Sequence, residues 1–224
     1  MLLSMNKTKE LAIDDDIESV LKLAHKLYFE GSVFIHPTDT IYGFGANPFN
    51  KEAVDEISRI KQRDEERKYI LLIQNIDSLL KYIRVVDDLH IDFLMNIWPN
   101  PVSVILPVKN EVADIVESET LAFRIPSHNF CQRLLERIQA PIISTSVNRS
   151  GEPALNDPQA IIQEFRDEVG AVFYSQKKQI PVSSTLIDLT QQVPVLIREG
   201  RIPFHHILHE FNEAMNKYSG NGNK

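Results

Sequence analysis

The stretch Ser32-Val-Phe-Ile-His-Pro-Thr-Asp-Thr-Ile-Tyr-Gly-Phe-Gly45 changes character part-way: a short apolar run of buried-strand type passes into a polar loop that contains glycine. A strand that stops on Pro37, Thr38, Asp39 and Thr40 sets polar groups at the end of a sheet, where α/β folds commonly carry their sites. Upstream, Ile17, Val20, Leu21, Ala24, Leu27 and Tyr28 recur at helical spacing after an acidic start at Asp14, and Gly31 ends the run. Downstream a second helix begins at Lys51 and turns Ala53, Val54, Ile57 and Ile60 inward. Further strands are expected at 69–73, 102–108, 121–125, 142–145, 171–174, 186–189 and 195–198. Helices are expected at 77–83, 87–97, 129–138 and 157–165, with Trp98-Pro-Asn-Pro101 stopping the second of these. This alternation predicts an α/β fold, a mixed sheet with helices packed on it, as one domain over residues 1–217 with 218–224 as a disordered tail.

The chain has 224 residues, 43% of them hydrophobic, which suffices for one substantial core. Its 24 Lys and Arg against 31 Asp and Glu leave a formal charge of −7, the wrong sign for a protein that coats nucleic acid. Any cationic site must be local. The lone cysteine, Cys131, cannot close an intramolecular disulfide, and no Cys/His pairs stand at zinc-ligand spacing. No apolar run approaches the roughly 20 residues that span a bilayer. A cytoplasmic protein without membrane contact is the expectation.

Polar residues gather where the strands stop. Lys61-Gln-Arg63, with Arg67 and Lys68 just beyond, fits a solvated helix end or a phosphate clamp in which Arg supplies paired hydrogen bonds and Lys a mobile point charge. Ser144-Thr-Ser-Val-Asn148, running into Ser150 and Gly151, fits an ordinary polar loop or a ring of short donors and acceptors around a ligand. Thr38, Asp39 and Thr40 suit an Asx turn or helix cap as well as a binding loop. Arg124 follows an apolar strand and needs an anionic partner if buried; a substrate carboxylate is one candidate. Ser183-Ser-Thr185 with Arg198 and Arg201 forms a further cluster. His36 and His128 lack a nucleophile-elbow partner and read as structural, and Trp98 reads as a packing anchor. Neither a Walker A sequence nor GxGxxG occurs.

In this order the clusters resemble the YrdC/Sua5 family of threonylcarbamoyl-AMP synthases. The pieces that carry the resemblance are 37–45, Lys61-Gln-Arg63, 98–106, Arg124-Ile-Pro126, 144–153, Ser184-Thr-Leu-Ile-Asp188 and Leu196-Ile-Arg-Glu-Gly200, together covering Gly31 to Pro203. The resemblance implies a twisted mixed sheet flanked by helices, with a concave, positively lined active site. It places the catalytic KxR and SxN signature on Lys61, Arg63, Ser146 and Asn148. It places ATP contacts on Arg63, Arg67, Ser103, Asn148, Asn156 and Arg198, and L-threonine contacts on Thr40, Leu72, Arg124, Ser146 and Ser184.

Asp64 stands where the family often has Pro, Leu72 where long members have His, and Asn156 where Thr is frequent. The chain resembles the short form without the extra C-terminal domain. The implied substrates are ATP, L-threonine and bicarbonate, with Mg²⁺ arriving on ATP rather than on a protein metal site. The implied partner is the machinery that transfers the threonylcarbamoyl group to tRNA, with a tRNA contact as a further expectation. An RNA-binding module and a YciO-like paralogue without this activity are the competing readings; the intact KxR and SxN elements favour the synthase.

Overall fold

In the computed structural model, which describes residues 8–62, 69–84, 87–177 and 180–221, strands and helices alternate along most of the chain. In order they are β1 (Lys9–Ala12), α1 (Ile17–Phe29), β2 (Phe34–His36), β3 (Gly43–Ala46), α2 (Lys51–Lys61), β4 (Ile70–Leu72), α3 (Ile76–Leu79), α4 (Asp88–Ile97) and β5 (Val102–Pro107). There follow α5 (Asn110–Val116), β6 (Thr120–Arg124), α6 (Asn129–Ile138), β7 (Ile142–Ser146), α7 (Pro158–Phe165), β8 (Ala171–Tyr174), β9 (Thr185–Asp188), β10 (Val195–Arg198) and α8 (Phe204–Asn221).

Local chemistry fixes several boundaries. Asp16, Asn50, Asn75, Asp87 and Asp157 each accept a backbone N–H from the first turn of the helix they precede, satisfying a donor that the helix cannot. α2 stops where Gln62 turns left-handed, at φ 54°. Trp98 is buried and donates its indole N–H to the Val102 carbonyl at 2.7 Å, the packing anchor expected of it.

The ten strands form one mixed sheet in the order β1-β8-β2-β3-β7-β4-β6-β5-β9-β10. Consecutive residues of a strand fall into different apolar clusters: Phe34 and Ile35, Leu72 and Leu71, Ile142 and Ile143, Phe173 and Val172. Because side chains alternate across a strand, these clusters lie on opposite faces of the sheet. One face is covered by α2, α4, α7 and α8. The other carries α1 and α6, which seal only part of it.

Three expectations need correction. Residues 43–46 form strand β3, where the sequence suggests a loop: a Cβ on Gly43 would lie 2.6 Å from Ser144 Oγ, and one on Gly45 would lie 2.4 Å from the Phe34 ring. The glycines are there for close strand packing, which outweighs their turn preference. Residues 218–221, expected to open a disordered tail, continue α8 to Asn221, and Tyr218 Oη donates to Asp88 on α4; 222–224 lie outside the described residues. Strand β1 and helices α5 and α8 appear in addition.

Candidate active site

The uncovered part of the second face is a cleft of about 570 Å³, the size of a small-molecule site. Its floor is the sheet itself. Ser144 on β7, Ile70 on β4, Ala122 on β6, Ile105 on β5 and Asp188 on β9 pair in register across five strands and all line the cleft. Two residues along, Ser146 and Arg124 lie on the same face, as do Ser184 and Leu186. The intervening residues, Ile143, Leu71, Phe123, Val104 and Ile187, belong to the core beneath.

Arg124 is the most constrained charge of the cleft. It is 3% exposed, and burial, more than any other influence, lowers its pKa from the ordinary arginine value. Its Nη1 donates to Thr40 Oγ1 at 3.0 Å, and Asp39 Oδ1 stands 3.5 Å from Nη2. Nε has no hydrogen-bond partner. Since Thr38 Oγ1 donates to the Ile41 carbonyl, Thr40 can pass its own hydroxyl proton to Thr38 Oγ1 at 2.9 Å, leaving its lone pairs to the guanidinium. Asp39 is held by the backbone N–H and hydroxyl of Ser127, and its carbonyl accepts from Arg201 at 2.7 Å. The loop 37–40 is therefore a turn that also sets Thr40 into the cleft lining.

At the opposite rim, Arg198 donates to the Ser184 carbonyl at 3.1 Å, and Ser184 Oγ meets the buried Ser103 Oγ at 2.9 Å. Desolvation and, after it, the positive charge of Arg124 lower the Arg198 pKa, so an anion between the two arginines would relieve both. Asp188 is the cleft's acidic member, its Oδ1 accepting from the Thr190 N–H and hydroxyl.

Behind the Ser146 rim, Lys61 at the end of α2 is 4% exposed. Its ammonium donates to the Ser146 carbonyl at 2.5 Å, to Asn148 Oδ1 at 2.7 Å and to the Asn148 carbonyl at 3.3 Å. Ser146 Oγ donates to the same Asn148 Oδ1 at 2.7 Å. Lys61 is thus joined to Ser146 and Asn148, more than eighty positions away in sequence, in one junction.

The Sua5/YciO/YrdC family model, described as telomere recombination, matches residues 26–200. The chain belongs to the Sua5/YciO/YrdC family. A threonylcarbamoyl-AMP synthase of Pyrococcus abyssi is 29% identical over 189 residues, 84% of this chain and 56% of that protein. A crystal structure of P. abyssi Sua5 complexed with L-threonine aligns with a TM-score of 0.82 at 27% identity, covering 92% of this chain and 61% of that one. The structure of E. coli YciO aligns with a TM-score of 0.77 at 28% identity, covering 88% of this chain and 96% of that one. The chain therefore spans little more than half the length of the Pyrococcus protein and nearly all of YciO.

Against this family frame, Thr40, Arg124, Ser146, Ser184 and Arg198 converge on the cleft, and Ser103 supports Ser184 from below. Lys61 and Asn148 stand one layer behind the lining. Asn156 lies next to the rim, accepting the Tyr42 N–H at 3.4 Å. Leu72 departs from the threonine-contact expectation: it pairs in register with Arg124 but is fully buried in the apolar cluster that α6 shares, beyond the end of the cleft floor. Arg63 and Arg67 lie outside the described residues, and with them part of the expected positive lining; the described lining holds Arg124 and Arg198 beside Asp188.

His36 is enclosed and its pKa pushed down to about 4, chiefly by burial, while burial pushes the Cys131 thiol up. An imidazole with so low a pKa is a poor proton acceptor at neutral pH, and burial lowers the His128 pKa as well. The sequence reading missed Ser118 and Thr120 at the far end of the cleft and the pairing of Asp39 with Arg124. The available signal was the even spacing of Thr120 and Arg124 on β6, which sets both on one face of the strand.

Proposed function

We propose that this protein forms threonylcarbamoyl-AMP and pyrophosphate from L-threonine, bicarbonate and ATP, for the threonylcarbamoyl modification of adenosine 37 in tRNA. The observation that carries the reading is Arg124: a buried guanidinium, open to the cleft on one side, with an unpaired Nε and a shared hydroxyl at Thr40. Asp39 balances its charge from one side at 3.5 Å, while Nε still lacks an acceptor, and a ligand carboxylate matches the planar fork that remains. The threonine complex of the Pyrococcus relative and the synthase name of that relative point to the same ligand.

In this mechanism Arg124 holds the threonine carboxylate, and Thr40, Ser146 and Ser184 complete the amino-acid pocket. The threonine amine combines with bicarbonate or CO2 to give an N-carboxy anion, whose oxygen attacks the α-phosphorus of ATP as pyrophosphate leaves. Several negative charges are brought together, so the protein's task is positioning and neutralisation. Lys61 and Arg63 act on the transferring phosphoryl group and departing pyrophosphate, Lys61 by exchanging one of its loop acceptors for a phosphate oxygen. Arg67 and Arg198 hold the outer phosphates or ribose, and Ser103, Asn148 and Asn156 orient the nucleotide. Among the described residues no group of three His, Cys, Asp or Glu could hold a metal ion; Mg²⁺ would arrive bound mainly to the triphosphate. There it would offset phosphate charge. The mixed anhydride product is labile and must be consumed by a threonylcarbamoyl transferase, which together with ATP and tRNA suits a cytoplasmic location. No helix of the described residues is long and apolar enough to cross a membrane.

A second reading, a YciO-like paralogue without this reaction, has one observation in its favour: the chain matches nearly the full length of YciO. Pyrophosphate release from ATP, measured with and without L-threonine and bicarbonate and with the adenylate product identified by mass, separates the two. Release that requires both additions is expected, and Lys61→Ala and Arg63→Ala are expected to abolish it while leaving the circular dichroism spectrum intact. Wild-type turnover in either variant defeats its assignment; ATP binding without threonine-dependent release favours the paralogue.

A further inference from the structure

We propose that Arg149 is a positioning residue that pins the loop 146–150 to the end of α2 and so sets the geometry of the Lys61, Ser146 and Asn148 junction. The kinetic part of this inference rests on the reaction proposed above; the positional part does not.

The junction joins two segments of different elements, the last turn of α2 and the chain leaving β7. Arg149 ties them together by contacts that do not use the Lys61 ammonium. Its Nη1 donates to the carbonyl of Ile60, the residue before Lys61, at 2.5 Å, and the next residue, Ser150, donates its N–H to the Lys61 carbonyl at 2.7 Å. Both bonds end on carbonyls that the terminating helix leaves unsatisfied, where a positive group also meets the negative end of the helix dipole. On its other side the guanidinium is gripped by α7 and the turn after it: Nε donates to Glu164 at 2.9 Å, Nη2 to Glu168 at 2.5 Å and Nη1 to Glu168 at 3.3 Å. The Phe165 ring lies 4.5 Å from its central carbon.

An ordinary surface ion pair looks different. Arg59, next to Ile60 on α2, is 56% exposed, and its side chain pairs with carboxylates, Glu56 at 2.7 Å and Glu168 at 3.6 Å. Arg149 is 21% exposed, and four of its five N–H groups are engaged, one of them on the backbone beside Lys61. Without it the loop would keep the Ser150 bond alone on α2's main chain, and Lys61 Nζ would have to hold the loop as well as serve the reaction.

The test uses the full chain with Arg149→Ala, Arg149→Lys, Glu168→Gln, Asn148→Ala and the double variant Arg149→Ala/Asn148→Ala. Two quantities are read: steady-state pyrophosphate release, and the rate at which acetic anhydride acylates Lys61, mapped by peptide mass with exposed Lys51 as internal reference. Arg149→Ala is expected to lower kcat about tenfold with the threonine KM moved less than about twofold, and Arg149→Lys to recover part of the loss. In the Asn148→Ala background the same change is expected to cost less than about twofold, because the junction it serves is already gone. Acylation of Lys61 relative to Lys51 is expected to rise severalfold in Arg149→Ala. Unchanged Lys61 acylation overturns the proposal, and so does an equal kinetic penalty in the two backgrounds, which would mark a general loss of stability. Should Arg149→Ala not fold, Glu168→Gln carries the same test, with about threefold effects expected and none overturning it. If wild-type protein releases no threonine-dependent pyrophosphate, the reaction assignment fails, and the acylation comparison still decides the role of Arg149.

Discussion

His36 ends β2 with its ring packed between Phe34 and Phe130 and its Nδ1 3.1 Å from the Pro37 carbonyl, to which it donates in the neutral form. Nε2 has no partner, and the pKa is lowered from 6.5 to about 4, with burial the largest cause. Between those values the unfolded chain binds a proton that the folded chain refuses, so stability present above about pH 6.5 is lost as pH falls toward about 4, by on the order of 3 kcal/mol at most. His36→Gln is expected to flatten that part of the profile, measured as urea midpoints at several pH values; an unchanged slope would assign it to other groups. Arg124 shows the opposite case, a buried group that stays charged because Asp39 and Thr40 flank it. Its importance was legible in the sequence, since a charge closing an apolar strand asks for a partner. That Leu72 sits under α6 was not legible, because its neighbour in register is a cleft residue and only the helix position tells the two apart.

At the level of elements, the amphipathic helices follow the three-and-four spacing of their apolar residues, and the strands their short apolar runs. β3 escaped because its glycines serve a neighbour that is distant in sequence: Ser144 crowds Gly43, and Phe34 crowds Gly45. Gly45→Ala is expected to destabilise the fold by about 1–3 kcal/mol, since an aromatic ring of the core would have to move. Gly43→Ala should cost less, as only the hydroxyl of Ser144 must turn away. Denaturant midpoints of the two variants check the order; a Gly45→Ala protein as stable as wild type would mean that β3 shifts freely. α8 did leave a trace, in Ile207, Phe211 and Ala214, all buried against the core and spaced four and three apart.

For the whole molecule, alternation predicts a sheet with helices but not its order. β8 enters between β1 and β2, and β7 between β3 and β4, through pairings that bring together residues 70 to 162 positions apart. Local spacing carries no information about such partners. The C-terminal helix closes the core in the same non-local way: Phe211 meets Phe93 of α4 edge to face at 5.3 Å. Removing residues 204–221 is expected to bare this apolar layer and give a protein that binds a hydrophobic dye and unfolds without a sharp transition; a monomeric, cooperatively unfolding product would show α8 to be dispensable. The half-covered sheet face has a consequence for descent. Positions 104, 123 and 143 build the core, while 105, 122 and 144, their neighbours on the same strands, floor the cleft. Inherited changes at the second set can alter what is bound while the first set keeps the architecture, so a lineage can exchange ligands by single substitutions without passing through an unfolded ancestor.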